Sequence, residues 1–127
     1  MDLLDTHIHG IIGDEGFTRL VAAFYRRVAA DDLLRPMYPK DDLAGAEERL
    51  RGFLIMRFGG PQDYAVRRGH PRLRMRHAGF HINRQARDRW ISLMEQALQE
   101  TKLAEEPTRL LRQFFHDAAD FLINRQG

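Results

Sequence analysis

The sequence contains no cysteine among its 127 residues. That absence excludes disulfide bonds, thiolate metal ligands and a cysteine nucleophile, and it is typical of proteins from reducing compartments. No apolar run approaches the roughly 20 residues that a membrane-spanning helix requires. The N-terminal residues, MDLLDTHIHG, lack the basic start and long apolar segment of a signal peptide. We therefore expect a cytoplasmic protein without integral membrane association.

Acidic residues are missing between Tyr64 and Arg87, although the chain as a whole is nearly balanced, with 20 basic and 18 acidic residues. Eight arginines lie between Arg67 and Arg89, beside one acid, Asp88. A local basic patch attracts phosphate backbones, and it serves equally well for the carboxylates of a small cofactor. Composition alone leaves both interpretations open.

Apolar residues recur at helical spacing along most of the chain, as in the stripe from Phe17 to Val28, and no segment alternates as a strand would. Residues that stop or start helices bound four such segments. Pro36 follows the first, Gly59 follows the second, Asn83 caps the third and Pro107 opens the fourth. A chain of this length accommodates one domain, so we expect an all-α domain.

The periodicity fails from Gly60 to Ile82, which predicts a long loop. Loops of this length inside compact domains tend to be functional. This one carries His77 directly behind the run of arginines. The sequence alone leaves three interpretations of His77 open: a solvent-exposed loop residue, a nucleic-acid contact, or a ligand beside a negatively charged group.

Three polar aromatic residues occupy inward positions of the predicted bundle. Tyr25 and Trp90 lie on the apolar stripes of the first and third helices, and Tyr38 lies in the turn bracketed by Pro36 and Pro39. A buried hydroxyl or indole N–H requires a hydrogen-bond partner. Either each group bonds a backbone carbonyl, as in a plain bundle, or the three converge on a shared polar ligand.

Two other functions are suggested by features of the sequence. DTHIHG resembles the His-x-His metal motif of amidohydrolase-type barrels, in which His7 and His9 of one strand share a metal ion. Such a barrel needs roughly 250 residues, so we do not expect metal hydrolysis. The alternative function is a cofactor-free helical bundle that binds nucleic acid through the patch from Arg67 to Arg89, although Phe80 is the only stacking aromatic residue within that patch.

Five longer segments carry a family resemblance that covers nearly the whole chain from about Ile12 onward. They are FYRRVAADDLLRPMYP (24–39), DDLAGAEERLRGFLIMRFGGP (41–61), YAVRRGHPRLRMRHAGF (64–80), DRWISLM (88–94) and AADFLIN (118–124). These segments resemble the group II truncated haemoglobins, a bacterial globin family. The resemblance implies an all-α, two-over-two helical sandwich around haem b.

Carried over residue by residue, the resemblance makes His77 the ligand of the haem iron. It implies that Arg49 and Arg76 pair with the haem propionates, as bidentate arginine–carboxylate contacts do, with Tyr64 as a further neighbour. The remaining implied cofactor contacts are Phe53 and Leu73.

On the opposite, ligand-binding face, the resemblance places Tyr25, Tyr38 and Trp90. Ala46 stands where ordinary globins have a distal histidine, which implies a short route for diatomic ligands. Leu50 also belongs to this face.

The function implied is a haem-binding globin that reversibly binds dioxygen and other diatomic ligands at His77-ligated iron. The implied uses are redox chemistry on oxygen, NO or peroxide, or oxygen storage and transport. An NO dioxygenase or peroxidase-like activity would require an external reductase as partner. We expect a monomer or homodimer that binds no nucleic acid.

The first residues depart from the family pattern, because Ile12 and Gly13 stand where a Gly-Gly pair belongs. We therefore expect residues 1–12 to be poorly ordered or divergent, and residues 13–127 to form the globin domain.

Overall fold

The computed structural model describes residues 7–60 and 83–122, and within these ranges it is all-α, without a strand. The elements in chain order are α1 (Ile8–Ala29), a 3-10 turn (Arg35–Met37), α2 (Leu43–Arg57), α3 (Arg84–Thr101) and α4 (Glu105–Leu122). The all-α prediction is confirmed.

Helix α1 buries the whole predicted stripe from Phe17 to Val28, because side chains three and four residues apart lie on one helix face. The helix begins at Ile8, which is fully buried. It breaks at Gly13, whose φ of 68° and ψ of 178° are open only to glycine. The prediction of poor order or divergence for residues 1–12 falls partly on residues outside the described ranges, and the domain start at residue 13 stays a prediction.

The predicted start of α3 is confirmed, and α2 begins with a cap of the same kind. Asn83 accepts a hydrogen bond from the Ala86 N–H at 3.0 Å, and Asp42 accepts one from the Gly45 N–H at 3.1 Å. Helix α4 begins at Glu105, two residues before the predicted start at Pro107. A proline fits there because the first-turn N–H groups of a helix have no intrahelical acceptor.

Two helix pairs, α1 with α2 and α3 with α4, are joined mainly by packing of α1 against α3. Buried aromatic rings fill the spaces between helices, as where Phe17 of α1 stacks on Phe58 at a centroid distance of 6.1 Å. Phe121, near the end of α4, has 57% of its surface exposed. Among the helices of the described ranges, none is both long and apolar enough to span a membrane.

Candidate functional site

Tyr25, Tyr38 and Trp90 meet around Phe24, although they belong to α1, the following turn and α3. The ring centroids of Tyr25 and Tyr38 are 5.6 Å apart at an interplanar angle of 81°. The Phe24 ring lies 5.1 Å from Tyr25 and 5.2 Å from Trp90, both edge to face. Phe115 of α4 closes the other side of Trp90 at 5.7 Å. The three polar aromatics therefore lie in one cluster, and their shared ligand stays a prediction.

The polar groups of this cluster influence one another's pKa. Burial raises the pKa of Tyr38, while hydrogen bonds from Trp90 and Tyr25 act to lower it. Burial also raises the pKa of Tyr25, and its hydrogen bond to Tyr38 raises it further. The directions are consistent with Tyr25 and Trp90 as donors and the Tyr38 oxygen as their acceptor, with both phenols neutral. The proton on the Tyr38 oxygen is not used by either of these contacts.

Helix α2 presents a small and apolar face. Ala46 is 7% exposed, Phe53 is 8% exposed and Leu50 is half-buried. Steps of four and three residues place all three on one side of the helix. Phe53 also approaches Phe114 of α4 at a centroid distance of 6.4 Å. This face combines the apolar contact area of Leu50 and Phe53 with the small side chain of Ala46.

Arg49 lies on the same helix and is also half-buried, with 25% of its side chain exposed. Its Nη1 is 3.4 Å from the Oδ2 of Asp42, a long contact to a carboxylate that is itself mostly exposed. The positive charge of Arg49 acts to lower the pKa of Tyr25, which places the guanidinium within electrostatic range of the aromatic cluster. A guanidinium carries five N–H donors. Among the described residues, the long ion pair with Asp42 uses only part of the Arg49 guanidinium.

Four predicted cofactor residues, Tyr64, Leu73, Arg76 and His77, lie outside the described residues.

Three arginines of the predicted basic patch, Arg84, Arg87 and Arg89, fall within the described ranges, and the last two are ion-paired. Arg87 donates to Asp120 at 2.8 Å and to Asp88 at 3.0 Å. Arg89 donates to Asp31 at 2.6 Å. These carboxylates compete with phosphate for the same donors, which weakens the nucleic-acid alternative.

The His-x-His motif begins a helix, where side chains two residues apart point to different sides. The Nε2 of His7 lies 2.8 Å from Glu106, and that of His9 lies 2.6 Å from Asp14. No group of three metal-binding side chains occurs in the part of the chain that the structure describes.

Sequence reasoning did not single out Phe24 and Phe115 as neighbours of Trp90, nor the ion pair of Asp31 with Arg89. The helical stripe pointed to Phe24 as a core residue. The other contacts join α3 to distant parts of the chain, and one sequence carries no signal for such pairings.

Comparison with known proteins identifies the family. The family model for bacterial-like globins matches residues 8–124. The group 2 truncated hemoglobin YjbI of Bacillus subtilis is 40% identical over 95 residues, which are 75% of this chain and 71% of that protein. The chain belongs to the group II truncated haemoglobins.

Solved structures of related haemoglobins share the fold of this truncated haemoglobin. A thermostable hemoglobin from the actinobacterium Thermobifida fusca is 47% identical, with a TM-score of 0.89 over 92% of this chain and 96% of that one. A truncated oxygen-avid haemoglobin from Bacillus subtilis is 35% identical, with a TM-score of 0.87 over 92% and 98% of the two chains. The predicted family and globin fold are confirmed, and nothing among these relatives supports the nucleic-acid alternative.

The described residues of this truncated haemoglobin fit a haem group on its ligand-binding side. A porphyrin needs apolar contact area, which the face of Ala46, Leu50 and Phe53 provides. The ligand needs hydrogen-bond donors in a water-poor setting, and the cluster of Tyr25, Tyr38 and Trp90 holds them among buried rings.

Proposed function

We propose that this truncated haemoglobin holds haem b through His77 and retains dioxygen by hydrogen bonds from its polar aromatic cluster. Haem supplies the iron coordination site at which dioxygen and other diatomic ligands bind reversibly, and binding leaves partial negative charge on dioxygen. The observation that carries the proposal is the convergence of Tyr25, Tyr38 and Trp90 in one aromatic cluster.

The hydroxyl of Tyr38 is the proposed principal donor to the ligand. Tyr25 and Trp90 direct their own protons at its oxygen, and a phenol that accepts hydrogen bonds donates its remaining proton more strongly. Because burial keeps Tyr25 and Tyr38 neutral, both retain a proton at physiological pH. The surrounding rings of Phe24 and Phe115 exclude water that would compete for these donors.

Arg49 is the proposed propionate partner on α2, together with Arg76 from the loop before α3. A half-buried guanidinium with one long contact retains donors for a carboxylate, and such charge-assisted bonds fix orientation. Phe53 and Leu50 are proposed to contact the porphyrin, and Leu73 and Tyr64 to complete the cofactor contacts.

Retention of oxygen suits redox chemistry better than delivery, because delivery requires rapid release. We therefore favour redox chemistry on oxygen, NO or peroxide over storage and transport, with electrons supplied by an external reductase. The similarity to a haemoglobin described as oxygen-avid supports this choice. A cytoplasmic location, where reductants are available, and a monomeric or homodimeric state complete the proposal.

The proposed iron ligand is tested by replacing His77 with glycine. We expect the His77→Gly protein to lose haem, and added imidazole to restore a normal Soret band, since a neutral imidazole is a suitable haem ligand. The same change at His70 or His81 serves as the matched control and should leave the spectrum unchanged. An unaltered spectrum in His77→Gly, with loss of haem in either control, would assign the ligand elsewhere.

A further inference from the structure

The carboxylate of Asp31 joins the end of α1 to the turn that follows it. Its Oδ2 accepts the N–H groups of Leu33 at 3.1 Å and Leu34 at 2.8 Å. Only 10% of the Asp31 side chain is exposed, and Leu34 is 2% exposed. The start of the turn is thus fixed by the mostly buried carboxylate of Asp31 and by the buried side chain of Leu34.

Two successive backbone hydrogen bonds connect Asp31 to Tyr38. The N–H of Arg35 donates to the Asp31 carbonyl at 3.0 Å, and the N–H of Tyr38 donates to the Arg35 carbonyl at 3.2 Å. The Arg35 guanidinium also donates to the carbonyls of Pro39 and Lys40, at 3.3 and 2.9 Å, which closes the turn behind Tyr38. The position of the Tyr38 ring therefore depends on where Asp31 is held.

The other oxygen of Asp31 is held by α3. The Nη1 of Arg89 donates to Oδ1 at 2.6 Å, and it reaches the exposed Asp32 at 3.3 Å. Arg89 directly precedes Trp90, whose indole lies close enough to the Tyr38 hydroxyl to lower its pKa. The Asp31–Arg89 ion pair thus connects the turn that carries Tyr38 to α3, which carries Trp90.

We propose that the Asp31–Arg89 ion pair is a positioning device that sets the distance between the Tyr38 hydroxyl and the Trp90 indole, and so tunes oxygen retention. Neither residue touches the ligand. The inference rests on the proposed function, in which these two side chains serve the bound oxygen. A small displacement of a hydrogen-bonding group from its working position has a large effect on the interaction it makes.

Trp90 is the only tryptophan of the chain, so a single indole N–H signal reports on its hydrogen bond. We expect Arg89→Met to shift or broaden this signal in the nitrogen-15-labelled, diamagnetic carbonmonoxy protein. It should also accelerate dioxygen release about threefold to tenfold, equivalent to part of one hydrogen bond. Arg89→Lys, which keeps the charge, should restore most of both properties.

The matched control is Arg112→Met. Arg112 makes two contacts of 2.7 Å with Glu95, between α3 and α4, and takes no part in the turn of Tyr38. This control should leave the indole signal and oxygen release unchanged. Asp31→Asn provides a second test: it keeps one oxygen for the Leu33 and Leu34 N–H groups, and it replaces the charged oxygen that accepts from Arg89 with an NH2 group.

An indole signal that stays in place in both Arg89→Met and Asp31→Asn overturns the inference. Equal shifts in Arg112→Met overturn it too, because the effect would then be general loosening of α3. The proposed function has a separate readout: if Tyr38→Phe and Trp90→Phe leave oxygen release unchanged, that proposal fails, while the indole signal still decides the positioning role.

Discussion

Removing the hydroxyl of Tyr38 or the indole of Trp90 should accelerate dioxygen release from this haemoglobin. Tyr38→Phe removes the proton that we assign to the ligand and also the acceptor shared by Tyr25 and Trp90. Trp90→Phe removes one of the donors that polarise the Tyr38 hydroxyl. Both variants keep an aromatic ring against Tyr25 or Phe24, so the packing of the cluster changes little.

The expected size follows from the number of donors available in the cluster. A hydrogen bond to a charged or partly charged group contributes about 1.5–3 kcal/mol, and each 1.4 kcal/mol is roughly a factor of ten in an equilibrium constant. Tyr38→Phe, which removes the donor to the ligand, should therefore release oxygen at least about tenfold faster. Trp90→Phe weakens the Tyr38 donor without removing it, so it should accelerate release by a smaller factor. The two single effects need not add, because the side chains hydrogen-bond each other.

Stopped-flow mixing of the oxygenated protein with excess CO measures the release rate directly. CO release is the internal control, since CO carries less negative charge than dioxygen when bound and should respond less to loss of a donor. Rapid oxygen release in the native protein, unaffected by either substitution, would refute the reasoning and favour a role in oxygen delivery.

Three further predictions concern the cofactor and the fold. Replacing Arg49 and Arg76 together with methionine should speed haem transfer to a scavenger globin, because propionate partners are lost, yet leave the spectrum of the oxygenated protein unchanged. Gly13→Ala should lower the free energy of unfolding in urea by about 1–3 kcal/mol, because φ and ψ at Gly13 are open only to glycine. Finally, the Arg112 guanidinium lowers the pKa of the Glu95 carboxyl, so this pair should contribute about 0.5–1 kcal/mol near neutral pH. That contribution is lost as the pH falls below the ordinary glutamate pKa of about 4.3.

Each of these predictions has a control that separates it from general destabilisation. For the Arg49 and Arg76 prediction, changing the exposed Arg109 of α4 to methionine should leave the rate of haem transfer unchanged. Gly10→Ala adds the same methyl group in open space within regular helix, and it should stabilise by about 0.5–1 kcal/mol. For the Glu95 pair, unfolding curves of the native protein and Arg112→Met should differ at pH 7 and converge at pH 3. A constant difference would contradict the pKa argument.

The helices could be predicted from the sequence because their signals are local. Periodic burial from Phe17 to Val28 and capping by Asn83 depend on residues within a few positions of one another, so one chain suffices to recognise them. The same periodicity placed Tyr25 and Trp90 on inward faces. The assignment of His77 depends on family resemblance rather than spacing, and it stays a prediction.

Which side chains meet could not be worked out from the spacing of residues in this sequence, and the tertiary structure decided it. Tyr38 lies 13 residues from Tyr25 and 52 from Trp90, and Arg89 lies 58 residues from Asp31. Contacts at such separations depend on how whole helices pack, because the position of one residue then depends on the core contacts of all the others. Local preferences contain no information on that packing. Hence the sequence by itself determined which groups are available for the site, and the packing of α1 against α3 determined that they face one another.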